Sequence, residues 1–315
     1  MNLRIGSRGS QLALWQANHI ATLLRNEGHS VEIQIIKTTG DRLQEVTFAQ
    51  VGSKGMFTKE IEEALADGSV DLAVHSLKDL PTELPEPFVL AATPPRVDSR
   101  DVFVSVNYEN LAALHQGARV GTSSQRRRAQ LKAVRPDIEA IEFRGNVDTR
   151  LRKLAEGQVD AILLAAAGLD RLEKTEWVRE RLEPKEFCPA AGQGALGIET
   201  RKDDAATIAA VAFLDDAATR FAVTVERAAL EALGGGCQVP IGIHCRPWLK
   251  EDSGADEALW DEFFAVVAAP ETGESVRIHH IALHVGAESA TLGRKIAQKL
   301  IEAGAGPLLA AAGGA

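Results

Sequence analysis

Two pairs of segments in this chain repeat one order of events, and that repetition limits the possible fold more than any other feature. "LRIGSRGSQLAL", starting at Leu3, and "ARVGTSSQRRRAQL", starting at Ala118, each run from arginine, a β-branched residue and glycine into a Ser/Thr-rich turn and a helical pattern. "LADGSVDLAVHSLKDL", from Leu65, and "LAEGQVDAILLAAAGLDRL", from Leu154, each end a helix at glycine and open a buried strand at Val-Asp. The echoes come in the same order, so the chain reads as two α/β lobes built alike, the first lengthened around "VGSKGMFTKE" at residues 51–60. Alternating helix and strand patterns predict mainly parallel sheets with helices on both faces. Ligands in such sheets lie beyond the carboxyl ends of the strands, which places a site between the lobes. The turns at residues 7–10 and 122–124 then act as paired anion receptors, because free N–H groups and the positive end of the helix dipole favour carboxylate or phosphate. Taken singly, the same hydroxyls would only cap helices.

A chain of 315 residues exceeds one ordinary core. The expected division is lobe 1 at residues 1–95 with 195–215, lobe 2 at 96–194, and a third, smaller α/β domain at 216–315. The run "AAGQGA" at 190–195 reads as a crossover returning to lobe 1. In the third domain a long helical pattern precedes a glycine loop, three strand patterns ("IGIHCRPWL", "EFFAVVAA", "RIHHIALHV") follow, and a helix at about 288–303 closes it. The segment at 250–261 is expected as a polar surface loop, and the tail at 304–315 as frayed.

The net charge of −9 argues against a general nucleic-acid or anionic-membrane binder. Residues 117–153 nevertheless carry ten Lys and Arg against four acids, a local +6 that leaves −15 elsewhere and suggests a small bound polyanion. No segment approaches the roughly 20 apolar residues of a bilayer span. The amino end has arginines and serines where a secretory signal needs its apolar stretch, so a cytoplasmic protein is expected. Three cysteines without C-x-x-C spacing fit a reducing compartment without structural zinc, and no His/Glu grouping has metal-ligand spacing, so no metal is expected. Dinucleotide and P-loop fingerprints are missing, as is a Ser-His-Asp arrangement.

The residues suited to chemistry are charged. In "VDLAVHSLKDLPTELP" an apolar strand delivers His75, Lys78 and Asp79 to a carboxyl-terminal edge. Asp79 can stabilise a cation there while Lys78 holds an anion, although an exposed pair of this kind would contribute little. His75 reads as a hydrogen-bonded core residue. Arg126, Arg127, Arg144, Arg150 and Arg171 form a second set; guanidinium groups converging on a cleft imply a ligand with several carboxylates or phosphates. Arg128, Arg135 and Arg152 read as a solvated helix face. In "LEALGGGCQVPIG" three glycines leave torsional freedom and space beside Cys237, as an attachment point or nucleophile needs. Glycines after a helix serve equally as a cap, so the local pattern leaves a reactive and an inert thiol both open. Cys188 and Cys245 read as small buried hydrophobes.

The ordered set "RIGSRGSQLALWQ", "VGSKGMFTKE", "AVHSLKDLPT", "VGTSSQRRR", "FRGNVDTRL", "PAAGQGALGIE" and "GGGCQVPIG" resembles the porphobilinogen deaminase family of tetrapyrrole biosynthesis, over at least the first 242 residues. The resemblance implies two lobes like those of type II periplasmic binding proteins flanking a cleft, plus a smaller α/β C-terminal domain that carries a cofactor cysteine. It implies that Cys237 forms a thioether to a dipyrromethane primer. Four porphobilinogens are then condensed head to tail with loss of ammonia, and water releases hydroxymethylbilane. By the same resemblance Asp79 is the catalytic aspartate and faces the cofactor, and Lys78, Thr122, Ser124, Arg126, Arg127 and Arg150 hold the cofactor's carboxylates. Arg8, Ser10, Gln16, Arg144, Asn146, Arg171 and Gln193 serve substrate or the growing chain, and Lys54 and Phe57 fall in a lid. Gln125 stands where the family is expected to have leucine, and Arg128 lengthens the usual arginine pair. Three domains can shelter the cleft unaided, so a monomer is expected. The rival reading, a non-enzymatic two-lobed dicarboxylate-binding or effector-sensing protein, explains the lobes and arginines but leaves Cys237 idle.

Overall fold

The computed structural model describes residues 1–39, 58–235, 239–247, 260–283 and 288–313. Its first sheet contains β1 (Asn2–Ser7), β2 (Ser30–Ile35), β3 (Leu72–Ser76), β4 (Phe88–Ala92) and β10 (Leu196–Arg201), in the order β2-β1-β3-β10-β4. The second contains β5 (Asp101–Val104), β6 (Arg119–Gly121), β7 (Glu139–Ile141), β8 (Ala161–Ala165) and β9 (Val178–Leu182), in the order β7-β6-β8-β5-β9. The sequence echoes map onto this symmetry: β1 and β6 hold the same place, as do β3 and β8. Each sheet is parallel except for one reversed strand, β10 in the first and β5 in the second. The reversed strand is in each case the one formed just after the chain crosses between lobes. Both lobes thus have the type II arrangement the resemblance implies.

The middle strand of each sheet, β3 (LAVHS) and β8 (AILLA), is largely apolar because both sheet faces are covered. In lobe 1, Leu3, Ile5, Leu72 and Ile198 pack beneath the helix Gln11–Asn26, while Val70, Ala73 and Phe88 pack with Ile61 and Leu65 of the helix Lys59–Ala66. Lobe 2 repeats the sandwich, with Val120 and Leu163 facing Leu131 on one side and Ile162 and Leu164 facing Leu151 and Leu154 on the other. The two crossovers touch. Gly194 has φ +88°, and a Cβ there would lie 2.6 Å from the carbonyl oxygen of Val97. Only glycine meets both demands.

The third domain is an antiparallel sheet of β11 (Ile241–Pro247), β12 (Trp260–Ala268) and β13 (Ser275–Leu283) under the helices Ala217–Ala232 and Ser289–Leu300. The other face of its sheet meets lobe 2 through Phe264, Val266 and Ala268 against Cys188 and Ala129. Glu226, fully buried, fastens this domain to both crossovers: it accepts hydrogen bonds from Arg96 Nη1 at 2.7 Å, from the N–H of Gly192 at 2.7 Å and from the N–H of Cys245 at 2.8 Å. Burial alone would push its pKa up; Arg96 and His244 outweigh that and bring it to about 2. The tail departs from the frayed end expected. Residues Gly306–Gly313 are helical, because Leu308 finds an apolar seat in the third-domain core beside Ala305. Cys188 and Cys245 are buried, as expected of small apolar side chains. The expected loop residues 250–259 lie outside the described residues. Among the described residues, no helix is long and apolar enough to cross a membrane, and no group of three or more His, Cys, Asp and Glu could hold a metal ion.

The two third-domain helices approach closely at Gly293, where a Cβ would lie 2.3 Å from the carbonyl oxygen of Val225. Alanine ordinarily stabilises a helix over glycine by about 1 kcal/mol, but overpacking a tight contact costs about 1–3 kcal/mol, so Gly293→Ala is expected to destabilise on balance. Urea unfolding checks the sign; a higher midpoint for the variant would show that the helices can separate without penalty.

Candidate functional site

The carboxyl ends of the strands bring the charged residues together. β3 runs into a single 3-10 turn, Leu77–Asp79, anchored by the buried Leu77. This turn leaves Asp79 exposed and carries Lys78 inward, where Nζ donates to Gln193 Oε1 at 3.2 Å. β6 runs through Thr122 and Ser124 into the helix Gln125–Val134. Ser124 caps that helix by accepting from the N–H of Arg127, and Ser10 caps the helix Gln11–Asn26 in the same way from Ala13. Both serines therefore cap helices. Thr122 Oγ1 accepts from the N–H of Ser124 at 3.2 Å.

Arg126 and Arg127 are almost fully buried and converge on one acid, Asp101, the first residue of β5. Arg126 donates to Asp101 at 2.6 and 3.2 Å, Arg127 at 2.9 and 2.7 Å, and Gln193 Nε2 at 2.9 Å. Arg126 also donates to the carbonyl of Cys188 at 2.6 Å, and Arg127 to that of Leu163 at 3.1 Å. Burial opposes a charge on Asp101, but Arg126 and Arg127 hold its carboxyl well below the usual range. The Arg run looked like a ligand-facing set; in the fold, most of the polar contacts of Arg126 are internal.

A cavity of about 110 Å³ lies between the lobes, lined by Leu12, Ser76 and Lys78 from lobe 1 and by Arg127, Arg150 and Arg171 from lobe 2. Its walls are cationic at a cost. Burial, then Arg127, lowers Lys78 to about 8; burial, then Arg127, lowers Arg150 to about 10; burial lowers Arg171 to about 10. The Nε atoms of Arg150 and Arg171 are buried without a hydrogen-bond partner. Clustered, desolvated cations with unsatisfied N–H groups favour an anion with several carboxylates. Asp79 lies close enough for its charge to be felt by Lys78, Arg127 and Arg150.

The other expected residues are not part of the lining of this cavity. Gln16 is buried and donates to Ser76 Oγ at 2.8 Å; Gln193 is buried with both ends of its amide engaged. Arg144 donates to Glu142 at 2.6 Å, and Asn146 caps the helix Val147–Ala155. Arg8 and Ser10 sit on the turn after β1, partly exposed. His75 is a core residue paired with Glu199 at 2.9 Å. Cys237, Lys54 and Phe57 lie outside the described residues. Asp101 and Trp15 were missed. Trp15 takes the Arg171 guanidinium over its ring at 5.9 Å, across the cleft; no local signal sets Asp101 apart, since it follows Asp98 and Arg100 and simply opens the strand "DVFV". A larger cavity of about 490 Å³ lies between the crossovers and the third domain. Its arginines Arg96, Arg100 and Arg246 are already ion-paired with Glu226, Asp98 and Glu262, so it is a weaker anion site.

Two alike lobes around a cationic cleft, with a third domain bolted to their crossovers, define a two-lobed α/β protein whose cleft has the chemistry to receive a polycarboxylate beside an exposed acid. Residues 3–209 match the family described as "Porphobilinogen deaminase, dipyromethane cofactor binding domain", and residues 220–302 match its C-terminal domain. A porphobilinogen deaminase of Nitratidesulfovibrio vulgaris strain Miyazaki F is 47% identical over 98% of this chain and 96% of that protein. One from Trichlorobacter lovleyi is 56% identical over 77% of this chain and 78% of its own length. The chain belongs to the porphobilinogen deaminase family, whose larger domain holds a dipyrromethane cofactor.

In a Cys237→Ser chain, Lys78→Met is expected to raise the unfolding free energy at pH 7 by about 1 kcal/mol, after allowance for partial exposure. The folded state holds this lysine at about 8 against an ordinary 10.5. Between those values the unfolded chain binds the extra proton, so the gain is full below pH 8 and fades as pH rises to 10.5. Urea unfolding at several pH values checks this; a loss at pH 7 contradicts it.

Proposed function

We propose that this chain condenses porphobilinogen into a linear tetrapyrrole on a dipyrromethane primer anchored at Cys237, using the cationic cleft and Asp79. The observation that carries the residue roles is the placing of Lys78, Arg127, Arg150 and Arg171 around one cavity, two of them with buried unpartnered Nε atoms, beside an exposed acid. Those donors fit a group bearing acetate and propionate arms. When bound, the dipyrromethane would supply a pyrrole with a free α-carbon as the nucleophile of the first condensation, after which the terminal ring of the growing chain takes that role.

Lys78, Arg127 and Arg150 would hold the primer's carboxylates, with the hydroxyls of Thr122 and Ser124 at the rim. Arg126 supports them from behind, since it is bonded to Asp101 and to the Cys188 carbonyl. Arg171, with Arg8, Ser10, Arg144 and Asn146 around the cleft, would meet the carboxylates of incoming porphobilinogen. Gln16 and Gln193 act through the side chains they orient, Ser76 and Lys78. Asp79 stabilises the positive charge left on the substrate as ammonia departs, and accepts the proton released when the new carbon–carbon bond restores an aromatic ring. We also place the protein in the cytoplasm, in keeping with its biosynthetic relatives, and as a monomer, because three domains can shelter the cleft unaided.

Intact mass of the purified chain is expected to exceed the sequence mass by two pyrrole units, and Cys237→Ser to abolish the excess. With porphobilinogen the wild type should release ammonia and a linear tetrapyrrole. Asp79→Asn should keep the adduct and the melting temperature while turnover falls by about 100-fold or more. Near-normal turnover removes Asp79 from this role, and an unmodified wild type that binds a dicarboxylate without releasing ammonia favours the binding-protein reading.

A further inference from the structure

Asp101 belongs to none of the sets drawn from the sequence, yet the cations of the cleft are arranged around it. It is fully buried at the start of β5, where the first crossover enters lobe 2. Five hydrogen bonds reach its two oxygens, four from Arg126 and Arg127 and one from Gln193. Four of them end on Oδ1 and one on Oδ2, so both oxygens are held. Gln193 carries the arrangement across the cleft. Its Nε2 also donates to the carbonyl of Ser99 at 2.7 Å, so its Oε1 is turned to accept from Lys78, which can only donate. The chain Arg127, Asp101, Gln193, Lys78 thus joins a cation of lobe 2 to a cation of lobe 1 through the two crossovers.

We infer that Asp101 is the positioning residue of the carboxylate clamp: it fixes Arg127 directly and Lys78 through Gln193, so that the anchored primer is held where chemistry occurs. The inference rests on the cofactor-site reading above. Geometry separates this role from simple charge balance. Two neighbouring guanidinium groups need an acid between them wherever they point, whereas a clamp needs that acid at one place. Asparagine at 101 would turn an N–H₂ group toward donors. Glutamate keeps the charge and the ion pairs but displaces the carboxylate by one methylene.

Asp101→Glu is expected to fold with a melting temperature near that of the wild type. Its kcat should fall by about tenfold or more while KM for porphobilinogen stays within about threefold, since misplacing an already anchored group by about 1 Å is costly in kcat. Asp101→Asn is expected to retain the wild-type far-ultraviolet circular dichroism while intact mass shows a large fraction of chains without the two-pyrrole adduct. Wild-type kcat and complete loading in both variants overturn the inference, as does a loss in Asp101→Glu that only parallels a fall in melting temperature. If Asp101→Asn does not fold, Asp101→Glu decides alone. A wild type without adduct or turnover would instead remove the cofactor-site reading, and that result appears before any variant is made.

Discussion

The site depends on one electrostatic problem and its solution: several cations are desolvated in a single cleft, and a buried acid keeps them in order. Removing charge from water costs far more than a surface ion pair returns, and breaking a buried pair leaves an uncompensated charge. Asp101 offsets part of the repulsion between Arg126 and Arg127 and directs what remains outward. Lys78, Arg150 and Arg171 are left on the cavity wall with lowered pKa values. A polycarboxylate would relieve that strain, so the energy that disfavours the desolvated cations would also select such a ligand.

A second buried acid performs the same service for the architecture. Glu226 belongs to the third domain, but its oxygens are taken by Arg96 of the first crossover, by the backbone of Gly192 in the second and by its own domain at Cys245. The segment that carries Cys237 follows the same helix. Any turn of the third domain relative to the lobes must therefore break hydrogen bonds to a buried carboxylate. Close contacts at Gly194 against Val97 and at Gly242 against Cys188 leave the backbone little room to slide.

Much of this was legible in the sequence because it is local. The repeat of Arg4-Ile5-Gly6 and Arg119-Val120-Gly121 ahead of Ser/Thr turns marked two equivalent strands, β1 and β6, and the third domain's three strands and closing helix followed from their patterns. What could not be read is long-range. Asp101 lies 25 residues from Arg126 and 92 from Gln193, and nothing local marks an aspartate that opens an apolar strand as a hub. For the same reason a run of three arginines could not reveal that Arg126 points inward. The reversed strands β5 and β10 depend on how the crossovers pass between lobes. The tail was misjudged because Leu308 gains its partners only from the folded third domain.

The central claim, that one cleft between the lobes receives a primer carried by the third domain, is tested most directly by a crystal structure of freshly purified wild-type protein. The account predicts density for two pyrrole rings continuous with Cys237 Sγ, with carboxylate oxygens about 2.7–3.2 Å from the nitrogens of Lys78, Arg127 and Arg150. A bare sulfur in active protein, or rings seated in the larger cavity beside Arg96 and Arg246, would contradict it.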